Sequence, residues 1–292
     1  MSLNISMDSF TLVAVVVVVA FIAYAVYAAI QAGRARTSEL KTLAPQLGLA
    51  FVGDFAPTSA ANATGDPRHD FEALRAAFGD FRRFQGSMRP RLWNWMRGER
   101  DGASISLFDY DEGHSERDIS RIQTLAWIED PSLKLTPFSL VPIPGRAGGL
   151  IRTTQAVAGI AGSSRHRDAE IAMPMHQEFE NQYLLRGQDE AALRRVFTDR
   201  VLRFFGENHG WMVEGDGTRL LLNRLNPDEV ITYWRGAVAP SDAREIGAAV
   251  SAVRDGTLGE KLKASPGIPP AELRSFLTAA LDAATQFRTS QP

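Results

Sequence analysis

The 292-residue chain contains no cysteine. That removes thiol nucleophiles, cysteine-ligated zinc, iron–sulfur clusters and disulfide staples together. Lysine is nearly as scarce: Lys41, Lys134, Lys261 and Lys263 are the only four among 32 basic residues, a bias that hints at a GC-rich bacterial genome. Neither sign of charge predominates. The formal net charge is −2, so no global basic field recruits nucleic acid. No G-x-x-x-x-G-K-[ST] phosphate loop, H-E-x-x-H pair or G-x-S-x-G elbow occurs, and no fixed-period repeat. The histidines (His69, His114, His166, His176 and His209) are scattered singly, and nothing in the pattern implies a cofactor. What remains is an ordinary globular mixture, 45% apolar and 23% charged, with chain enough for a sizeable core.

One long hydrophobic run stands apart. Residues 10–30, FTLVAVVVVVAFIAYAVYAAI, hold Thr11 as their only non-aromatic polar residue. At about 1.5 Å per residue the run reaches about 32 Å, which predicts a helix that crosses the hydrocarbon core of a bilayer. Tyr24 and Tyr27 then fall near headgroup depth. A cleaved signal peptide is the competing reading, but the preceding MSLNISMDS carries Asp8 and no cation, and the run is longer than an h-region. Arg34, Arg36 and Lys41 follow the run and no cation precedes it. The positive-inside bias therefore places the N-terminus outside and the rest in the cytoplasm, as a single-pass protein of the bacterial inner membrane. The bilayer, contacted through residues 10–30, is the first expected partner. A protein partner is left unidentified, and nucleic acid is not expected.

The remainder divides by composition. Residues 1–9 form a short tail, 31–53 a juxtamembrane helix and first strand, and 54–68 a surface loop rich in Pro, Ala, Ser and Thr. Asp66 and Pro67 can open a short helix through Phe78. Residues 69–240 form a soluble domain holding a flexible Gly- and Arg-rich loop at 144–168. Residues 241–288 form a C-terminal helical region and 289–292 a tail. Within the domain, RLWNWMRG, ASISLFDY, RIQTLAWIE and LKLTPFSLV are rich in β-branched and aromatic residues and are separated by turn material, so they predict neighbouring antiparallel strands. AEIAM, QYLLRG and EVITYWR predict further strands. A helix is expected over 189–207, and a hairpin in WMVEGDGTRLLLNRL with Gly215-Asp216-Gly217 as its turn. Two helices close the chain, one capped by Ser241, the other starting near Pro270 with Leu273, Phe276, Leu277, Leu281 and Phe287 on one stripe. Strands in runs with helices segregated give an α+β class, with a mainly antiparallel sheet behind the N-terminal transmembrane helix.

Several short segments come in a familiar order: Asn94-Trp95-Met96-Arg97-Gly98, Phe108-Asp109-Tyr110, Gln123-Thr124, Pro137 to Pro142, and Phe179 through Tyr183 and Glu190 to Arg194 and Phe197. With them the chain resembles a set of uncharacterised bacterial proteins that have one N-terminal membrane helix and a soluble α+β region. The resemblance implies the anchor and the sheet. It brings no activity and no catalytic residues.

Two constellations could carry chemistry. Asp109, Asp111, Glu112 and His114 gather at the end of the strand ISLF, and carboxylates delivered to a turn can hold Mg²⁺ or Ca²⁺. That would make the chain a membrane-anchored metal-dependent hydrolase; solvated turn residues are the plainer account. Arg82, Arg83, Arg89, Arg91 and Arg97, interleaved with Phe84, Trp93 and Trp95 and opposed by Glu99 alone, could face anionic headgroups beneath the tether. The leading expectation is a membrane-tethered, non-enzymatic domain that binds a protein or the membrane surface.

Overall fold

The computed structural model describes residues 9–53, 81, 84, 91–111, 122–144, 169–230 and 267–288. Between 9 and 29 it describes side chains only at 16, 20, 23, 24, 27 and 28, and at Arg91 and Asp111 it describes the backbone alone. The expected helices at 66–78 and 241–256, the loop at 145–168 and most of the strand EVITYWR lie outside these residues. So do Arg82, Arg83, Arg89, Glu112 and His114.

The first element is a single helix, α1 (Ser9–Leu43). Residues 10–30 thus do not end as a separate helix; they continue unbroken into the segment expected to lie beyond the membrane. Among the described residues, no helix is long and apolar enough to cross a membrane. Pro45 lacks an amide hydrogen and ends α1 in a 3₁₀ turn, Ala44–Leu47. Leu40, Ala44 and Leu47 enter the core there.

Behind α1 lies one nine-stranded sheet among the described residues. In chain order its strands are β1 (Ala50–Gly53), β2 (Arg91–Arg100), β3 (Ala103–Asp111), β4 (Ile122–Glu129), β5 (Leu135–Pro142), β6 (Ala169–Glu170), β7 (Tyr183–Gly187), β8 (Trp211–Gly217) and β9 (Arg219–Arg224). They lie side by side as β1-β2-β3-β4-β9-β8-β5-β7-β6, antiparallel throughout. The α+β class with a large antiparallel sheet is therefore as expected. Among the described residues the sheet is accompanied by α2 (Gln177–Glu180), α3 (Glu190–Val196), α4 (Asp199–Glu207), α5 (Leu273–Arg288) and a helical stretch at 227–230.

Alternation along the strands builds two cores. Ile105 and Leu107 of β3, Ala126 and Ile128 of β4 and Leu220 and Leu222 of β9 face the helices. On that side Phe138, Phe197 and Phe287 meet ring to ring, with centroids 5.0 to 5.6 Å apart. The opposite face carries Phe108, Tyr110, Leu125 and Leu221, covered by Phe81 and Phe84. A third cluster, Ile143, Leu184, Met212, Leu225 and Val230, gathers where β5 and β9 end.

Three expectations on elements need correction. The helix over 189–207 is two helices, because Thr198 is extended and starts α4; Asp199 at the new N-terminus fits that break, since a carboxylate there faces the positive end of the dipole. The hairpin turns at Gly217-Thr218, closed by the pairing of Asp216 with Arg219. Gly215 stays in β8, where the Phe138 ring leaves no space for a Cβ. Finally, Glu229 and Val230, the described start of EVITYWR, belong to a helical stretch over 227–230 rather than to a strand.

Candidate functional site

The sheet end nearest α1 buries an ion pair. Arg36, 4% exposed, projects from α1 onto Asp109 of β3, 1% exposed. The guanidinium fork is bidentate: Nε donates to Oδ2 and Nη2 to Oδ1, both at 2.8 Å. Nη1 donates to the Ile268 carbonyl at 2.8 Å, and Nη2 also reaches Thr124 Oγ1 at 3.1 Å. The carboxylate accepts twice more, from Asn94 Nδ2 at 2.8 Å and from the Thr124 hydroxyl at 2.9 Å. Thr124 Oγ1 in turn accepts from the Ile268 amide at 2.9 Å, and Asn94 Oδ1 accepts from Thr37 at 2.8 Å. Five separate pieces of chain thus close on one charge pair: α1, β2, β3, β4 and the segment before α5.

Local backbone geometry serves this cluster. Asn94 sits at φ +54° where the β2–β3 register shifts between Trp93 and Met96, and asparagine tolerates that conformation better than most residues. Gly267 has φ +79°, and a Cβ there would lie 2.5 Å from Thr124 Oγ1, 2.9 Å from Arg36 Nη2 and 3.0 Å from Asp109 Oδ1. Only glycine closes over the pair.

This arrangement redirects the acidic-cluster reading. Four hydrogen bonds and a cation saturate the Asp109 carboxylate, so it has no lone pair to offer a metal ion. Of its expected companions, Glu112 and His114 lie outside the described residues, and so does the Asp111 side chain. Among the described residues no three His, Asp or Glu gather as a metal site. Of the arginine set, Arg97 is exposed on β2; the side chains of Arg82, Arg83, Arg89 and Arg91 are not described. Arg36 is no exposed flanking cation either, which leaves Arg34 and Lys41 exposed beyond the apolar run.

The pair also stands at one end of a groove of about 1200 Å³. Pairing of β4 with β9 covers Ala126–Glu129 and stops at Ala126↔Leu222. Beyond it, Ile122–Leu125 pair only with β3 and Asn223–Arg224 only with β8, among the described residues. The groove opens where these strands part. Thr124, Gly267 and Ile268 line it from the ion-pair side. Asn223, 2% exposed, donates from Nδ2 to Gln123 Oε1 at 3.1 Å. Gln182 donates from Nε2 to the Gly206 carbonyl at 3.1 Å. The remaining side-chain oxygens, Asn223 Oδ1 and Gln182 Oε1, are buried without a partner.

Elsewhere the perturbed groups have structural explanations. Burial pushes the Tyr183 phenol well above its usual range, against the pull of the Trp211 amide and the Arg224 charge; its hydroxyl donates to the Asn208 carbonyl at 2.6 Å. Burial raises the Asp130 carboxyl, but hydrogen bonds from Ser132 and Arg288 outweigh it and hold the group below the usual carboxylate range.

No family model matches the chain, and no curated protein matches it. One solved structure, that of the mycobacterial trehalose monomycolate transport factor A, TtfA, is similar at 12% identity with a TM-score of 0.40; the match covers 69% of this chain and 92% of that one.

Proposed function

We propose that the chain is a membrane-tethered, non-enzymatic domain held rigidly at the bilayer surface to bind a partner there. The observation that carries this reading is the contrast along α1. Arg36 and Leu40 are buried in the domain, whereas the side chains described between Val16 and Ile30 are all exposed and apolar or aromatic, with Tyr24 at 69% and Tyr27 at 61%. An apolar surface that no described part of the chain covers calls for another apolar medium, and the length of the run in residues 10–30 matches a bilayer. Arg36 lies six helical steps beyond Ile30, about 9 Å of helix, so the sheet would sit directly on the headgroups. Exposed Arg34 and Lys41 keep the domain on the cytoplasmic side of a bacterial inner membrane, and Arg97 and the neighbouring arginines can then meet anionic lipid.

Binding is favoured over metal-dependent hydrolysis because Asp109 is consumed by Arg36. The anchor is tested by washing membranes from cells expressing the full chain with alkaline carbonate, and the side by protease treatment of intact spheroplasts. The reading predicts retention in the washed membranes and protection of the domain until lysis. Release by carbonate would remove the anchor, and digestion before lysis would invert the topology.

A further inference from the structure

We infer that the groove between β4 and β9 is a binding site for a neutral amphiphile, a lipid with an aliphatic body and a hydroxyl-bearing head. The argument starts from Asn223 Oδ1 and Gln182 Oε1, two buried acceptors without partners in one cavity. A buried acceptor left unpaired costs about 1–3 kcal/mol, so both call for donors from outside the chain. The same two amides each donate once within the chain, to Gln123 and to Gly206. An amide nitrogen carries two N–H groups, so these residues can take a donor and return one, which suits a hydroxyl, a group that both donates and accepts.

The walls set the rest of the ligand. Ile143, Leu225, Val230, Ile268 and Phe276 line the groove, and its volume of about 1200 Å³ holds a long hydrocarbon tail. The charged lining residues His209, Arg224, Glu229 and Glu272 are exposed and of mixed sign. That disposition fits a neutral head rather than a phosphate or carboxylate. Commitment to a bilayer source rests on the tethered reading above: Thr124, Gly267 and Ile268 belong both to the groove and to the Arg36 cluster, about 9 Å of helix from the end of the apolar run.

The test uses the full chain reconstituted in phosphatidylcholine vesicles that contain a monoacylglycerol with a photoactivatable diazirine in its tail, with cross-linked peptides mapped by mass spectrometry. Labelling is expected at Ile143, Ile268 or Phe276. It should fall at least about tenfold in Asn223→Leu/Gln182→Leu, in line with two lost hydrogen bonds of about 1 kcal/mol each. Because that variant could disturb the fold, Ser275→Trp serves as a second one: this exposed groove residue can fill the cavity without entering the core, and the same loss should appear with an unchanged melting temperature. Groove peptides labelled no more than exposed β1, or labelling indifferent to both variants, would overturn the site. Labelling of residues 10–30 reports the anchor separately. Groove labelling without it would remove the tether and the bilayer source but keep the site, and the reverse would keep the tether and remove the site.

Discussion

Two helices flank the same core and are held to it with different emphasis. α5 lies on the sheet mainly through an apolar stripe, with Leu273, Phe276, Leu277, Ala280, Ala284 and Phe287 all buried, and adds an ion pair to Asp130 at its last residue, Arg288. α1 also contributes apolar contacts, Leu40 among them, but its position is fixed by a saturated ion pair. Apolar contact is non-directional and grows with area; it stabilises α5 without demanding one rotation about the helix axis. A bidentate guanidinium accepts a carboxylate in one geometry, so Arg36 sets the rotation and depth of α1. A buried ion pair contributes little net stability against an apolar replacement of the same volume. Its value here is specification.

That difference can be broken from either side. Asp109→Ala strands the Arg36 charge and should cost about 3–5 kcal/mol in urea denaturation. Phe287→Ala should cost a similar amount, about 3–5 kcal/mol, by leaving a cavity among Phe138, Phe197 and Phe205. The two sites then separate in the second step. Arg36→Met combined with Asp109→Leu should recover most of the loss, because removing both charges leaves none stranded, whereas adding Leu277→Ala to Phe287→Ala should deepen it. A cycle in which the Arg36 and Asp109 losses simply add would show that the two side chains do not act as a pair.

Gly267→Ala probes the pair without touching a charge. Its positive φ and the collision with Thr124 and Arg36 should cost about 1–3 kcal/mol. Smaller again is the acid response of the α5 end, where Arg288 bonds Asp130. The Asp130 carboxyl is held below its ordinary value of 3.8. Its contribution is therefore present above that pH and fades as the pH falls through the lower folded value. Asp130→Asn should flatten the loss of melting temperature below about pH 4; an unchanged acid limb would assign that loss elsewhere. Smallest is Glu190→Gln, which removes the exposed pair with Arg194 and should shift stability by no more than about 0.5 kcal/mol.

Much of the sheet was legible because alternation and turn residues are local signals. The segments around Trp95, Leu107, Ala126 and Leu140 each became the strand they predicted, and the α5 stripe was visible as a 3.6-residue period. Long-range facts were not. Arg36 reads as a cation beside an apolar run because its partner lies 73 residues away in sequence. Asp109 reads as a ligand at a strand end, yet one signal pointed inward: it stands between Phe108 and Tyr110 and shares a face with Ile105 and Leu107, where a charge must be paired. The split between α3 and α4 was written in Thr198-Asp199, a helix-start composition overridden by the period of Leu193, Val196, Val201 and Phe205. The groove has no sequence signature, since it exists only where the β4–β9 ladder stops.

The measurement that tests the central claim most directly is the distance between α1 and the sheet in the intact chain. The absence of cysteine allows nitroxide labels at two introduced positions alone, Ala32→Cys on α1 and Glu99→Cys on β2, both exposed. Electron–electron double resonance on the full chain in vesicles should give one narrow distance distribution, broadened when Gly267→Ala loosens the cluster. A broad or multiple distribution in the otherwise native chain would mean that Arg36 and Asp109 do not lock α1 to the sheet, and the rigid-tether account would fall with it.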